Sequence, residues 1–141
     1  MAKSNALLKR AHARQRIAAA CRQVVAGKHA ARDLTQWIAG CDLSEVEFRL
    51  LWMLFDAANG DAECELEQGA LVVLLAASPA LVSGAVERLR SLGLLESRSN
   101  ATDRRRQQWR LTTAGADRVR QVVAAVEALA GQNDTTRKDA A

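Results

Sequence analysis

Residues 101–115 read ATDRRRQQWRLTTAG. Arg104, Arg105 and Arg106 place three guanidinium groups side by side, directly after Asp103. A guanidinium is planar, permanently charged and able to bond an anion through two N–H groups at once. Three neighbours also repel one another, so the run is either a solvated turn or a site for an anion such as a phosphate. A second stretch, SPALVSGAVERLR, offers Ser78, Pro79, Ala80, Leu81, Ser83 and Gly84 at the start of a helix and Arg88 further along it. Serine hydroxyls and a glycine that lets backbone approach suit contact with a polyanion, and no Arg, Lys, Asn or Gln stands in this stretch before Arg88.

Other chemistry finds little support. There is no nucleophile–base pair, no glycine-rich phosphate loop and no paired-carboxylate motif, so an enzyme is not expected. Cys21, Cys41 and Cys64 are scattered, with no Cys-x-x-Cys or His-x3-His pair, and His12 and His29 stand apart; neither a metal nor any other cofactor is expected. Three reduced thiols suit a cytoplasmic protein. No apolar run reaches the ~18 residues of a membrane span. The Arg- and Ala-rich start also has the composition of a mitochondrial transit peptide, but its pattern runs on unbroken into helical structure.

The net charge of +4 is unevenly spread. Residues 1–32 carry eight Lys or Arg and no acid, residues 33–97 carry three bases and eleven acids, and residues 98–141 carry nine bases and five acids. Basic segments around an acidic middle point to a polyanion met by particular parts of the chain; a solvated helix face is the competing explanation of the basic start.

Hydrophobic periodicity sets out the elements that must position these groups. A helix is expected over 5–26, with Ile17, Cys21, Val24 and Val25 in line and Gly27 as its stop, then a second over about 29–39 with Ala30, Leu34, Trp37 and Ile38. Ser44 and Glu47 form a capping box for a third helix, faced by Val46, Leu50, Leu51, Leu54 and Phe55. The run over 66–77 pairs, across a short turn, with a helix capped by Ser78 and begun by Pro79, whose buried stripe is Leu81, Val82, Ala85, Val86 and Leu89. Residues 94–98 and 107–111 alternate as two strands, with Trp109 and Leu111 on one side and Gln108 and Arg110 on the other. The three arginines lie in the loop between them. A last helix, 113–130, carries Val119, Val122, Val123, Val126 and Leu129, and 131–141 is expected to be a disordered tail. The class is mainly α with a small β-wing: N-terminal helices over 1–42, a winged helix-turn-helix lobe over 43–112, a C-terminal helix over 113–130 and the tail.

Leu43-Ser44, Arg88-Leu89, Gly93-Leu94, Asp103-Arg104-Arg105, Leu111-Thr112 and Gly115 occur in the order and spacing of one family. Over about 43–115 the chain resembles the MarR family of winged helix-turn-helix transcription regulators. The resemblance implies a homodimer built through the helices 5–26 and 113–130. It implies double-stranded DNA as partner, with the helix from Ser78 in the major groove. Arg105 would then enter the minor groove, and Asp103 would orient a wing arginine or Arg88. It further implies repression of a pseudo-palindromic operator and a small-molecule effector of unknown identity, with Trp37 a candidate for its pocket. Some such regulators sense oxidants through an N-terminal cysteine, but Cys21 aligns with Ile17, Val24 and Val25 and is expected to be a buried thiol. Trp37, Trp52 and Trp109 are expected in the core. Val72, Val73 and the acids Asp61, Glu63, Glu65 and Glu67 depart from the family pattern, and they favour an alternative: a winged-helix module that binds protein, with little or no specific DNA binding.

Overall fold

The structure, a computed structural model, describes residues 1–59, 64–98 and 107–139. It divides into two compact units, Met1–Gln36 and Trp37–Ala141.

The first unit is one helix, α1 (Ala2–Trp37), with no buried residue. The stop expected at Gly27 does not occur, and the two expected helices are continuous. Gly27 costs a helix about 1 kcal/mol relative to alanine, which is too little to break one that has alanines on both sides and no proline. The chain turns instead at Gly40, whose φ of +87° only glycine adopts freely.

In the second unit, α2 (Glu45–Ala57) starts at the expected capping box: Ser44 Oγ accepts from the Glu47 N–H, and Glu47 accepts from the Ser44 N–H. Then follow β1 (Leu66–Glu67), α3 (Gln68–Leu75), α4 (Pro79–Ser91), β2 (Leu95–Arg98), β3 (Gln108–Leu111) and α5 (Thr113–Asp139). β1 went unseen in the sequence because two residues have no periodicity. It takes the first two positions of the helix expected over 66–77, pairing Leu66 with Trp109 and Glu67 with Gln108. The sheet order is β1-β3-β2, antiparallel throughout, with Leu95 opposite Leu111 and Ser97 opposite Trp109. The outcome is a mainly α fold with a small β-wing. Among the described residues, no single helix is long and apolar enough to cross a membrane.

One core joins these elements. Leu50, Leu51 and Leu54 of α2 meet Leu71 and Leu75 of α3, Val82, Val86 and Leu89 of α4, Trp109 and Leu111 of β3, and Ala116 and Val119 of α5. Full burial of each large side chain contributes about 1.5–3 kcal/mol. Three expected core residues are not in it, and one of them, Trp37, is half-buried. Leu81 is half exposed, because 82, 85, 86 and 89 complete the helical stripe and 81 lies one step around from them. Trp52 is 38% exposed and tilts against Phe55, with ring centroids 5.9 Å apart.

α5 runs to Asp139, so residues 131–139 are helical where a disordered tail was expected. Gly131 is again an isolated glycine. Thr135 Oγ1 donates to its carbonyl, and Arg137 and Lys138 suit the negative end of the helix dipole.

Two glycines give opposite expectations. At Gly115 a Cβ would collide with the Leu94 carbonyl oxygen, so Gly115→Ala should lower stability by ~2 kcal/mol or more in urea unfolding. At Gly27 a Cβ meets nothing, so Gly27→Ala should raise the helix content of α1, by up to about 1 kcal/mol. Loss of far-ultraviolet helix signal in that variant would contradict a continuous α1 with open space at position 27.

Candidate nucleic-acid interface

α3 and α4 meet at a bend of 115°. Such an angle and a three-residue connection define a helix-turn-helix. The turn is held by Ala76 in the left-handed region, with φ 48° and ψ 42°, and by Ser78, whose Oγ accepts from the Leu81 N–H at 3.2 Å. Arg49 of α2 donates to the Leu75 carbonyl at 3.0 Å and fills an orphan acceptor at the end of α3. With Val82, Ala85, Val86 and Leu89 turned into the core, the residues Ser78, Pro79, Ala80, Leu81, Ser83 and Gly84 are left together on one exposed surface. On α3, Val73 is 79% exposed and Leu74 50% exposed.

Arg88 is placed differently from a free DNA contact. Its guanidinium pairs with the carboxylate of Glu47, and its second amino group lies 3.0 Å from the Asp42 carbonyl and 3.3 Å from the Asp42 carboxylate. Among the described residues, Glu47 is the one charged side chain that is buried. A buried carboxylate is tolerated when several donors satisfy it, and here the Ser44 N–H and Arg88 do so together. The adjoining segment is gripped again by Arg118 of α5, which donates to the Cys41 carbonyl at 2.6 Å. Sequence reasoning assigned Glu47 to the cap alone and missed Asp42 and Arg118. Separations of 41, 46 and 77 residues leave no local signal for such pairs.

Across the sheet, Arg110 and Glu96 face each other and pair at 2.7 Å. Glu65, which would repel DNA if it faced it, instead pairs with Arg98 at 3.6 Å and Arg110 at 4.0 Å. Asp103, Arg104, Arg105 and Arg106, and the acids Asp61 and Glu63, lie outside the described residues.

On α1, Cys21 is exposed, as are Ile17 (64%), Val24 (59%) and Val25 (56%). The buried thiol expected there is therefore corrected: the seam exists, but nothing among the described residues of this chain covers it.

Glu47→Gln keeps the capping acceptor but removes the charge. It should cost ~1–3 kcal/mol in urea unfolding, as should Arg88→Gln, and the double variant should cost less than the sum. Strict additivity would mean that the two side chains act separately. On the outer face of α4 the hydrogen bond from Arg90 holds the Glu87 carboxyl below the usual glutamate range and raises Arg90 in turn. A lowered folded pKa means the pair contributes above the ordinary glutamate value and is lost as pH falls through the lowered one. Carboxyl NMR should show Glu87 titrating low in the wild type and returning toward the ordinary value in Arg90→Ala.

By sequence, the chain matches no family model and no curated protein. By structure it is similar to apo MarR from E. coli, with 22% identity, 82% of each chain covered and a TM-score of 0.64. A cysteine-to-serine variant of that protein complexed with operator DNA matches with 24% identity over 74% of this chain and 71% of that one, at a TM-score of 0.60. An S. aureus MepR variant bound to an oligodeoxyribonucleotide matches with 18% identity, coverage of 82% and 81% and a TM-score of 0.64. The chain has the winged helix-turn-helix fold of the MarR-type regulators.

Proposed function

We propose that the chain is a DNA-binding transcription regulator of the MarR type that occupies a pseudo-palindromic operator as a homodimer and represses. The observation that carries this reading is a helix-turn-helix followed at once by a β-hairpin, in a fold shared with regulators solved on DNA. α4 enters the major groove with Ser78–Gly84 leading. Arg105 with its neighbours, from the segment that joins β2 to β3 in the sequence, enters the flanking minor groove, where narrow width concentrates negative potential. A second copy covers the α1 seam of Ile17, Val24 and Val25 and the outer residues of α5. An effector acts by binding one spacing of the two lobes better than the other.

One observation favours a second reading, a protein-binding module: Val73 and Leu74 of α3 and Leu81 of α4 are exposed. Apolar side chains there gain nothing from phosphates but suit an apolar partner.

A salt series on random-sequence duplex DNA separates the two readings. Wild type should bind with a steep negative dependence of log affinity on log salt. Changing Arg104, Arg105 and Arg106 together to Ala should make the slope shallower by about 0.9 for each phosphate that is no longer neutralised. No salt-dependent binding by the wild type would leave the protein-binding reading in possession; an unchanged slope in the triple variant would remove the wing from the interface.

A further inference from the structure

The described arginines from Arg49 to Arg120 are internally engaged. Arg49 pairs with Glu45, Arg88 with Glu47 and Asp42, Arg90 with Glu87, Arg98 with Glu65, Arg110 with Glu96 and Arg120 with Asp117, while Arg118 holds the Cys41 carbonyl. α1 is the opposite. Its Lys3, Lys9, Arg10, Arg14 and Arg16 are exposed, and none forms an ion pair among the described residues. No carboxylate side chain occurs in the sequence before Asp33.

Resting on the DNA-binding reading above, we infer that the first half of α1, residues 3–16, is a second, sequence-independent contact to the phosphate backbone of duplex DNA. Lys3, Arg10 and Arg14 are separated by seven and four residues, which puts them on one stripe of the helix. From Lys3 to Arg16 the helix rises ~20 Å, and about six phosphates of one strand span the same length. Lys9 and Arg16 lie ~120–140° around from that stripe, both to the same side, so the cations spread over an arc of ~160°. That distribution fits a partner whose charge wraps past the helix. It does not fit a membrane surface, which needs one broad apolar face. Leu7 and Leu8 are adjacent and so point ~100° apart, and no other large apolar side chain lies between Lys3 and Arg16. The seam of Ile17, Val24 and Val25 begins only where this cationic half ends. One helix thus carries polyanion contact in its first half and an apolar seam in its second.

The test uses the full chain with Lys3, Lys9, Arg10, Arg14 and Arg16 changed together to Gln, a good helix former that keeps length and removes charge. Circular dichroism checks that α1 is retained, and a companion variant with Arg10, Arg14 and Arg16 changed to Lys keeps the charge. On random-sequence duplex DNA the Gln variant should bind at least tenfold more weakly at low salt. Its log–log salt slope should be shallower by about 0.9 for each phosphate left unneutralised, up to ~4 in all, with the Lys variant near wild type. A wild-type slope in the Gln variant, while the wing triple variant loses its own, overturns this inference and leaves the DNA-binding reading intact. Absence of salt-dependent binding in the wild type overturns both. Binding of the chain to phosphatidylserine vesicles that depends on the five cations, with no change on DNA, also overturns it.

Discussion

The carboxylate of Glu47 is the point on which the lobe's polar framework depends. It closes the N-terminus of α2 through the Ser44 N–H and, from the same buried position, holds Arg88 of α4. A carboxylate withdrawn from water is costly unless its donors are fixed in place. Satisfying it therefore fixes two elements at once, the start of α2 and the second half of α4. Arg88 then hands the constraint on to Asp42, which itself sits at φ 54°, a left-handed conformation that aspartate tolerates better than most residues. Arg118 closes the same segment from α5 by taking the Cys41 carbonyl. The core sets how closely α2, α4 and α5 pack. Glu47, Arg88 and Arg118 set where each helix lies along its neighbours, which leucine packing alone specifies poorly.

How much of this is legible from the residues depends on range. Local devices are readable: the Ser44–Glu47 box, Ser78 and Pro79 at the head of α4, and the alternation of Trp109 and Leu111 with Gln108 and Arg110. Each is decided within a few residues by hydrogen bonding or by a side-chain period. Expectation and structure part where a local rule meets weak opposition. Gly27 and Gly131 carry a small helix penalty that their alanine-rich or capped surroundings outweigh. β1 has two residues and exists only because β3 offers a free edge. Long-range pairs such as Glu47 with Arg88 leave no trace in spacing, since either residue is fully explained by its own helix. Cys21 differs for another reason. The apolar line of α1 is present as its spacing implies, but an apolar line does not say whether its cover comes from the same chain.

The charge layout gains meaning from the ion pairs. In sequence, the segment 33–97 is strongly acidic, which makes the lobe look hostile to DNA. In the fold, Glu45, Glu47, Glu65, Glu87 and Glu96 each face an arginine, so the described lobe is nearly self-neutralised rather than repulsive. Self-neutralisation works both ways: an arginine already holding a carboxylate gains less from a phosphate, because it must share or release its partner. Net attraction for a polyanion then has to come from cations without acidic neighbours. The sequence supplies two groups in which cations outnumber acids, the run Arg104–Arg106 with its single Asp103 and the acid-free start of the chain.

The exposed head of α4 points the same way. Ser78 is occupied as a cap, Pro79, Ala80 and Leu81 have no side-chain hydrogen-bonding group, and Gly84 has no side chain. Among these residues, Ser83 is left as the polar side chain able to address a base edge, and a lone hydroxyl discriminates poorly because it both donates and accepts. A helix of this composition can lie close to the groove floor, since nothing bulky and charged holds it away. On the DNA-binding reading, it positions rather than reads. Sequence preference would then follow the width and stiffness of the duplex where a guanidinium enters the minor groove, and operators would differ in shape as much as in bases.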